Sequence, residues 1–198
     1  GGCFQMGSNL RTFEGPVHEV CVDDFYLSKY EVTRRQWKIL MGRNLSYFKG
    51  NGRPVERVSW EDSQRFIRQL NSKSGAAYRL PTEAEWEYSA RFSNKGTALK
   101  YPWGTKFPPS GRIGNFADIS AKGLLTYYLP SYNDGYAATA PPQKFEASAL
   151  GLYDMGGNVA EWTHDYYSIY PYSADKTYID PLGPDDGKNH VVRGAGWK

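Results

Sequence analysis

Between about Tyr101 and Ala149 the chain keeps no hydrophobic period. Neither a two-residue nor a 3.6-residue repeat persists there; Gly, Pro, Asn and Tyr recur instead. A structureless stretch of this length is uncommon in a compact domain unless something fixes it. Two readings stand: disorder, or order imposed by ions, aromatic packing or buried side-chain hydrogen bonds. The aromatic residues favour order, because disordered segments are poor in them. Any fold for this chain must therefore use irregular backbone as a main component.

Regular elements are legible on either side. Val17 to Leu27 alternates as a strand should. Thr33 with Gln36 is a capping-box pattern, and Trp37, Leu40 and Met41 continue it, predicting a helix of about ten residues ending at Gly42. Ser59, with Asp62 three residues on, caps a second helix whose inner face is Ser63, Phe66, Ile67 and Leu70, stopped by Asn71 to Gly75. Tyr78 to Tyr88 predicts a short strand, a turn and a third helix. Thr82 and Glu85 form another box there, and acidic residues in the first turn suit the positive end of the helix dipole. Gly151 to Trp162 reads as a tight turn entering a strand, and Val191 to Trp197 as a strand entering a turn.

Length and charge narrow the classes. With 198 residues and no linker or repeat, one domain over 1–198 is expected. A domain of this size buries roughly 70% of its unfolded surface and needs no metal or disulfide merely to have a core. The net charge is +3, and Lys and Arg read as scattered among Asp and Glu with no basic stripe, so nucleic acid is not the expected partner. No apolar run approaches the roughly 20 residues of a membrane span. No signal peptide is present, and the chain opens on Gly1-Gly2 inside a strand-like motif, as if a leader had been removed.

Cys3 and Cys21 are the only cysteines. Each sits in a strand-like stretch, and neighbouring antiparallel strands would bring them to bonding distance. The alternative is two buried free thiols. We expect the bond, which would indicate an oxidising compartment. His18, His164 and His190 show no metal-ligand spacing. His164 and Asp165 either line a surface groove or, as we expect, the histidine bonds to backbone at a strand end. Tyr166, Tyr167, Tyr170, Tyr172 and Tyr178 read as packing under a long loop in preference to a binding face.

Seven stretches, in order, resemble one family. They are Gly1 to Ser8; Pro16 to Val20 with Tyr30 to Thr33; Pro54 to Asp62; Tyr78 to Tyr88; Tyr101-Pro102-Trp103-Gly104; Gly151 to Trp162; and Arg193-Gly194-Ala195-Gly196-Trp197. The resemblance is to the formylglycine-generating-enzyme, or sulfatase-modifying factor, family. It implies an α+β, C-type-lectin-like fold, loop-rich, with a few helices around a small twisted antiparallel sheet. It also implies two calcium sites. One uses the side chains of Asp154 and Glu161 with the carbonyls of Gly157 and Val159. The other uses Asn115, the Phe116 carbonyl, Asp134 and the Tyr136 carbonyl. Hard oxygen donors of this kind suit calcium. Read without the resemblance, Asp154 and Asn158 cap turns and Glu161 pairs with an Arg.

The family includes oxidases, accessory domains and variable ligand-binding proteins, so its fold does not choose a function. The oxidases bind copper through a cysteine pair beyond an Arg-Gly-Gly-Ser-Trp-like motif. In this chain the motif reads Arg193-Gly194-Ala195-Gly196-Trp197, only Lys198 follows, and the final family segment is expected to be missing. The expected function is therefore a non-catalytic binding or accessory module for a protein or small-molecule ligand. Its expected place is periplasmic, lipoprotein-anchored or secreted. The alternative is a copper-dependent oxidase that converts a sulfatase cysteine to formylglycine, with its active site in a C-terminal segment absent here.

Overall fold

A computed structural model describes residues 1–92, 99–169 and 172–198. Among the described residues five strands and three α-helices carry the regular structure. They run β1 (Gly2–Met6), β2 (His18–Val22), α1 (Arg34–Met41), α2 (Trp60–Ser74), α3 (Glu83–Arg91), β3 (Glu161–Tyr166), β4 (Thr177–Ile179) and β5 (His190–Arg193). The architecture is α+β and loop-rich.

Each helix begins where its capping signal lies. Thr33, Ser59 and Thr82 each accept from the backbone N–H three residues on, and Gln36, Asp62 and Glu85 return the bond to the cap backbone. Two otherwise orphaned donors are satisfied at every start. Gly42 and Gly75, both at positive φ, end α1 and α2. These two helices meet through Trp37 stacked on Phe66, ring centroids 5.0 Å apart.

β1 and β2 pair antiparallel, with Cys3 directly opposite Cys21, and the two are disulfide-bonded. β4 then joins β2 in parallel, so this three-stranded sheet is mixed. β3 and β5 form a separate antiparallel pair. α3 lies between these parts. Its Ala84 packs into the Met6, Val20 and Val22 cluster. Trp86 and Ala90 pack on Leu152 and Met155 of the turn before β3.

Two local expectations differ from the structure, and one strand had no expectation at all. The alternating segment stops pairing at Val22, and the Asp23 N–H donates instead to the Asp180 carboxylate at 2.8 Å. Tyr78 to Leu80 is not a strand. The Asn71 side chain takes both the N–H and the carbonyl of Tyr78, at 2.8 and 2.9 Å, and Pro81 has no N–H to give a ladder. β4 gave no signal, because three residues are too few to show a period of two.

The irregular 101–149 region is ordered from within, apart from one short 3-10 turn at Ile119–Ala121. Trp103, Phe107, Phe116 and Tyr132 form a chain of ring contacts. Asn115, Asp118, Asp134 and Thr139 are fully buried. Of the tyrosine run, Tyr172 and Tyr178 pack on His18 and Tyr166 stacks on His190, as expected of covering residues. Tyr167 is half exposed, and Tyr170 lies outside the described residues.

Candidate functional site: a buried carboxylate cluster

The turn from Gly151 to Val159 is built from residues at positive φ: Gly151, Asp154, Gly157 and Asn158. Gly157 has no alternative, since a Cβ there would sit 2.5 Å from the Asn115 carbonyl oxygen. Short polar Asp and Asn are the L-residues that tolerate the left-handed region best. The turn brings Asp154 inward, and β3 then places Glu161. Both oxygens of Asp154 are buried and have no hydrogen-bond partner.

Glu161 does not pair with an Arg. Its Oε2 accepts from the indole Nε1 of Trp86. The residue is only partly covered as a whole, but its carboxylate is enclosed. Glu31 completes the cluster and was not singled out by sequence. Its carboxylate accepts from Asn158 Nδ2 at 2.6 Å and from the Val159 N–H at 3.2 Å. A charged residue amid the apolar-flanked Tyr30 to Thr33 stretch was the only signal for it.

No ion pair among the described residues involves these three acids. Burial pushes the Asp154 carboxyl up to about 6, and the Gln143 backbone N–H, near it but outside hydrogen-bond geometry, offsets only part of that. Burial pushes Glu161 up to about 7, against the opposing Trp86 bond. Glu31 is raised well above the usual carboxylate range by burial first, then by repulsion from Asp154 and Glu161. Three buried carboxyls without a cation favour either protons or a bound positive charge. Asp154 also borders a cavity of about 240 Å³ lined by Pro102, Trp103, Ile113, Leu152 and Met155. Glu31 borders a second of about 240 Å³ with Tyr30, Thr33, Gln36 and Gln143.

The second expected ligand set is more nearly satisfied. Asp134 accepts from the backbone N–H groups of Phe116 and Tyr136, at 2.8 and 2.7 Å. Burial raises its carboxyl to about 6 even so. Asn115 donates to the Ala138 carbonyl and to Asn158 Oδ1, which leaves its own Oδ1 unpartnered. Arg112 donates to the Asp134 carbonyl, so a positive group already lies against this set. Among the described residues no group of three or more His, Cys, Asp or Glu is arranged as a metal site. As ion sites, both sets would depend on neutral oxygens beside two or fewer carboxylates.

His18 bonds through Nδ1 to the Pro16 carbonyl. His190 bonds to the carbonyls of His164 and Asp165 and is stacked between Trp60 and Tyr166. The His164 side chain is exposed, and it is its backbone N–H that donates, to the Pro81 carbonyl.

A family model described as "Sulfatase-modifying factor enzyme 1-like domain" matches residues 1–198. The chain belongs to this family. It is 31% identical over its full length to "Chaperone protein LppX" of Paenibacillus barcinonensis, of which it spans 76%. It is 35% identical, over 99% of its length, to "Formylglycine-generating enzyme" of Bos taurus, and spans 64% of that protein, under two thirds. A solved structure of "Treponema denticola variable protein 1" superposes with a TM-score of 0.78 at 24% identity, covering 98% of this chain and 80% of that one, which shows the fold alone. In this member of the sulfatase-modifying factor family the motif around Arg193 is tied into α3. Arg193 donates to Glu83 at 3.3 Å and to Glu87, and its guanidinium lies 5.2 Å from the Trp86 ring.

Proposed function

We propose that residues 1–198 act as a non-catalytic binding or accessory module of the sulfatase-modifying factor family. The observation that carries this reading is the fate of its thiols. The chain has two cysteines, Cys3 and Cys21, and they are bonded to each other. Copper(I) selects soft thiolate ligands, and a disulfide offers none. A relative named a chaperone, alignable over the whole chain, supports a role in handling another protein. A disulfide and that relationship also support a secreted, periplasmic or lipoprotein-anchored setting. Among the described residues no helix is long and apolar enough to cross a membrane.

Calcium fits the first ligand set. Asp154, with two buried oxygens lacking partners, and Glu161 would hold it, together with the Gly157 and Val159 carbonyls. When bound, the ion supplies a positive charge that organises loop backbone. Asp134, Asn115 and the carbonyls of Phe116 and Tyr136 would hold a second ion, with Asn115 Oδ1 as the free donor atom.

A second reading is supported by the identity to formylglycine-generating enzymes. In it, the copper-binding thiolates come from residues other than 1–198. The deciding experiment incubates this chain with copper, a reductant and a cysteine-containing sulfatase peptide, and follows peptide mass. No aldehyde is expected; turnover by residues 1–198 alone would refute the module reading.

A further inference from the structure

We propose that α1 and the segment following it, residues 42–57, form a docking surface for an anionic lipid bilayer. The charge is not evenly spread. Residues 34–57 hold seven of the chain's 24 Lys and Arg but only one of its 21 Asp and Glu, so the rest of the chain is net acidic. This corrects the even spread expected from sequence. Five of the seven, Arg35, Lys38, Arg43, Lys49 and Arg57, are exposed. None of the five forms an ion pair among the described residues. The single acid, Glu56, is turned onto the backbone, accepting from the Phe48 N–H at 3.0 Å.

Three apolar side chains stand out among these charges. Ile39, Leu45 and Tyr47 are 64%, 65% and 67% exposed. They line neither of the two cavities described above. Exposed apolar side chains outside those cavities suit insertion into a soft surface, whereas a bound peptide needs pockets for its own side chains. Aliphatic groups gain by entering the acyl boundary, and Tyr rests at headgroup level.

The frame is preformed. The Arg34 guanidinium donates to the Phe48 carbonyl at 2.6 Å, and Asn44 donates to the Arg34 carbonyl at 3.2 Å. The N–H groups of Arg34 and Arg35 donate to the carbonyls of Arg53 and Asn51. These bonds hold the segment along α1, so little ordering is left to oppose docking.

The test is sedimentation with vesicles of phosphatidylcholine alone or mixed with phosphatidylglycerol. Binding is expected only to the mixed vesicles, with release by high salt. Each basic residue near such a surface contributes about fivefold in partitioning, so Arg35→Ala with Lys38→Ala should weaken binding by about 25-fold. Ile39→Ser with Leu45→Ser should weaken it at unchanged charge. Thermal melts of both variants verify folding. Equal binding to both vesicle types, or full binding by the Arg35/Lys38 variant, overturns the proposal. So does capture of a polyglutamate peptide without vesicle binding, which would assign the surface to an acidic protein segment.

Discussion

Asn115 and Asn158 meet side chain to side chain at the centre of the irregular region. Asn115 Nδ2 donates to Asn158 Oδ1 at 2.8 Å, and both residues are fully buried. Asn158 has no spare capacity. Its Oδ1 also accepts from the Ala140 N–H, and its Nδ2 donates to Glu31 and to the Ala140 carbonyl. One residue thus joins the 101–149 region, the Gly151–Val159 turn and the segment before α1.

Replacing Asn158 with Ala takes one partner from Asn115 and from Glu31, which keep others, and leaves both Ala140 backbone groups unpaired. Each buried group left unpaired costs about 1–3 kcal/mol, so a loss of roughly 2–6 kcal/mol is expected. At about 2–4 °C per kcal/mol for a domain of this size, the melting temperature should fall by ~10 °C. A variant that melts with the parent protein would show that the hub has slack.

Asp154→Asn should change sign with conditions. In a chelator at pH 8 the parent protein buries an ionised Asp154 without partner or counterion, so the neutral amide should melt higher. With calcium present the parent gains a ligand-linked term that the variant lacks, so the order should reverse. The same order in both buffers would argue against calcium at this turn.

Glu83 predicts a pH dependence. Burial raises its carboxyl to about 7; Arg193 at 3.3 Å offsets part of the rise, while Asp165 and Glu87 add to it. The folded state therefore holds a proton that the unfolded state releases near the ordinary Glu value. The sign follows: this contribution is complete below the unfolded value and is lost as pH rises through about 7. Glu83→Gln should flatten the decline in stability between these limits while Arg193 keeps Glu87. Denaturant midpoints measured across that window, without calcium, would show it. An unchanged slope would mean that Glu83 is ionised throughout.

Cys3→Ser with Cys21→Ser should cost about 3 kcal/mol, because the bond closes a short loop between residues 18 apart. Urea unfolding of the oxidised protein and the double variant measures the difference. Two reactive thiols in the unfolded, unreduced protein would contradict the bond itself.

The helices were legible because their starts are chemical signals. A Thr or Ser followed three residues later by Gln, Asp or Glu satisfies backbone donors locally, whatever surrounds it. Glu31 was not legible, because its role depends on residues more than a hundred positions away that sequence spacing does not encode. The pairing expected for Glu161 failed for a related reason: the indole of Trp86 reaches it across the core before any guanidinium does. The charge concentration at residues 34–57 was present in the sequence all along. It stood out only once Glu56 was seen turned inward.

The parallel docking of β4 on β2 has a consequence for synthesis. Thr177 Oγ1 donates to Glu19 Oε2 across 158 residues, so β2 waits for its second neighbour until the residues between them have emerged. At translation rates of about 5–20 residues per second, that wait lasts roughly 10–30 s. During it the β1–β2 hairpin shows an open edge, the kind of surface on which nascent chains associate wrongly. Among the described residues only the three of β4 cover the β2 side of that edge, so the delay in their arrival sets how long it stays open.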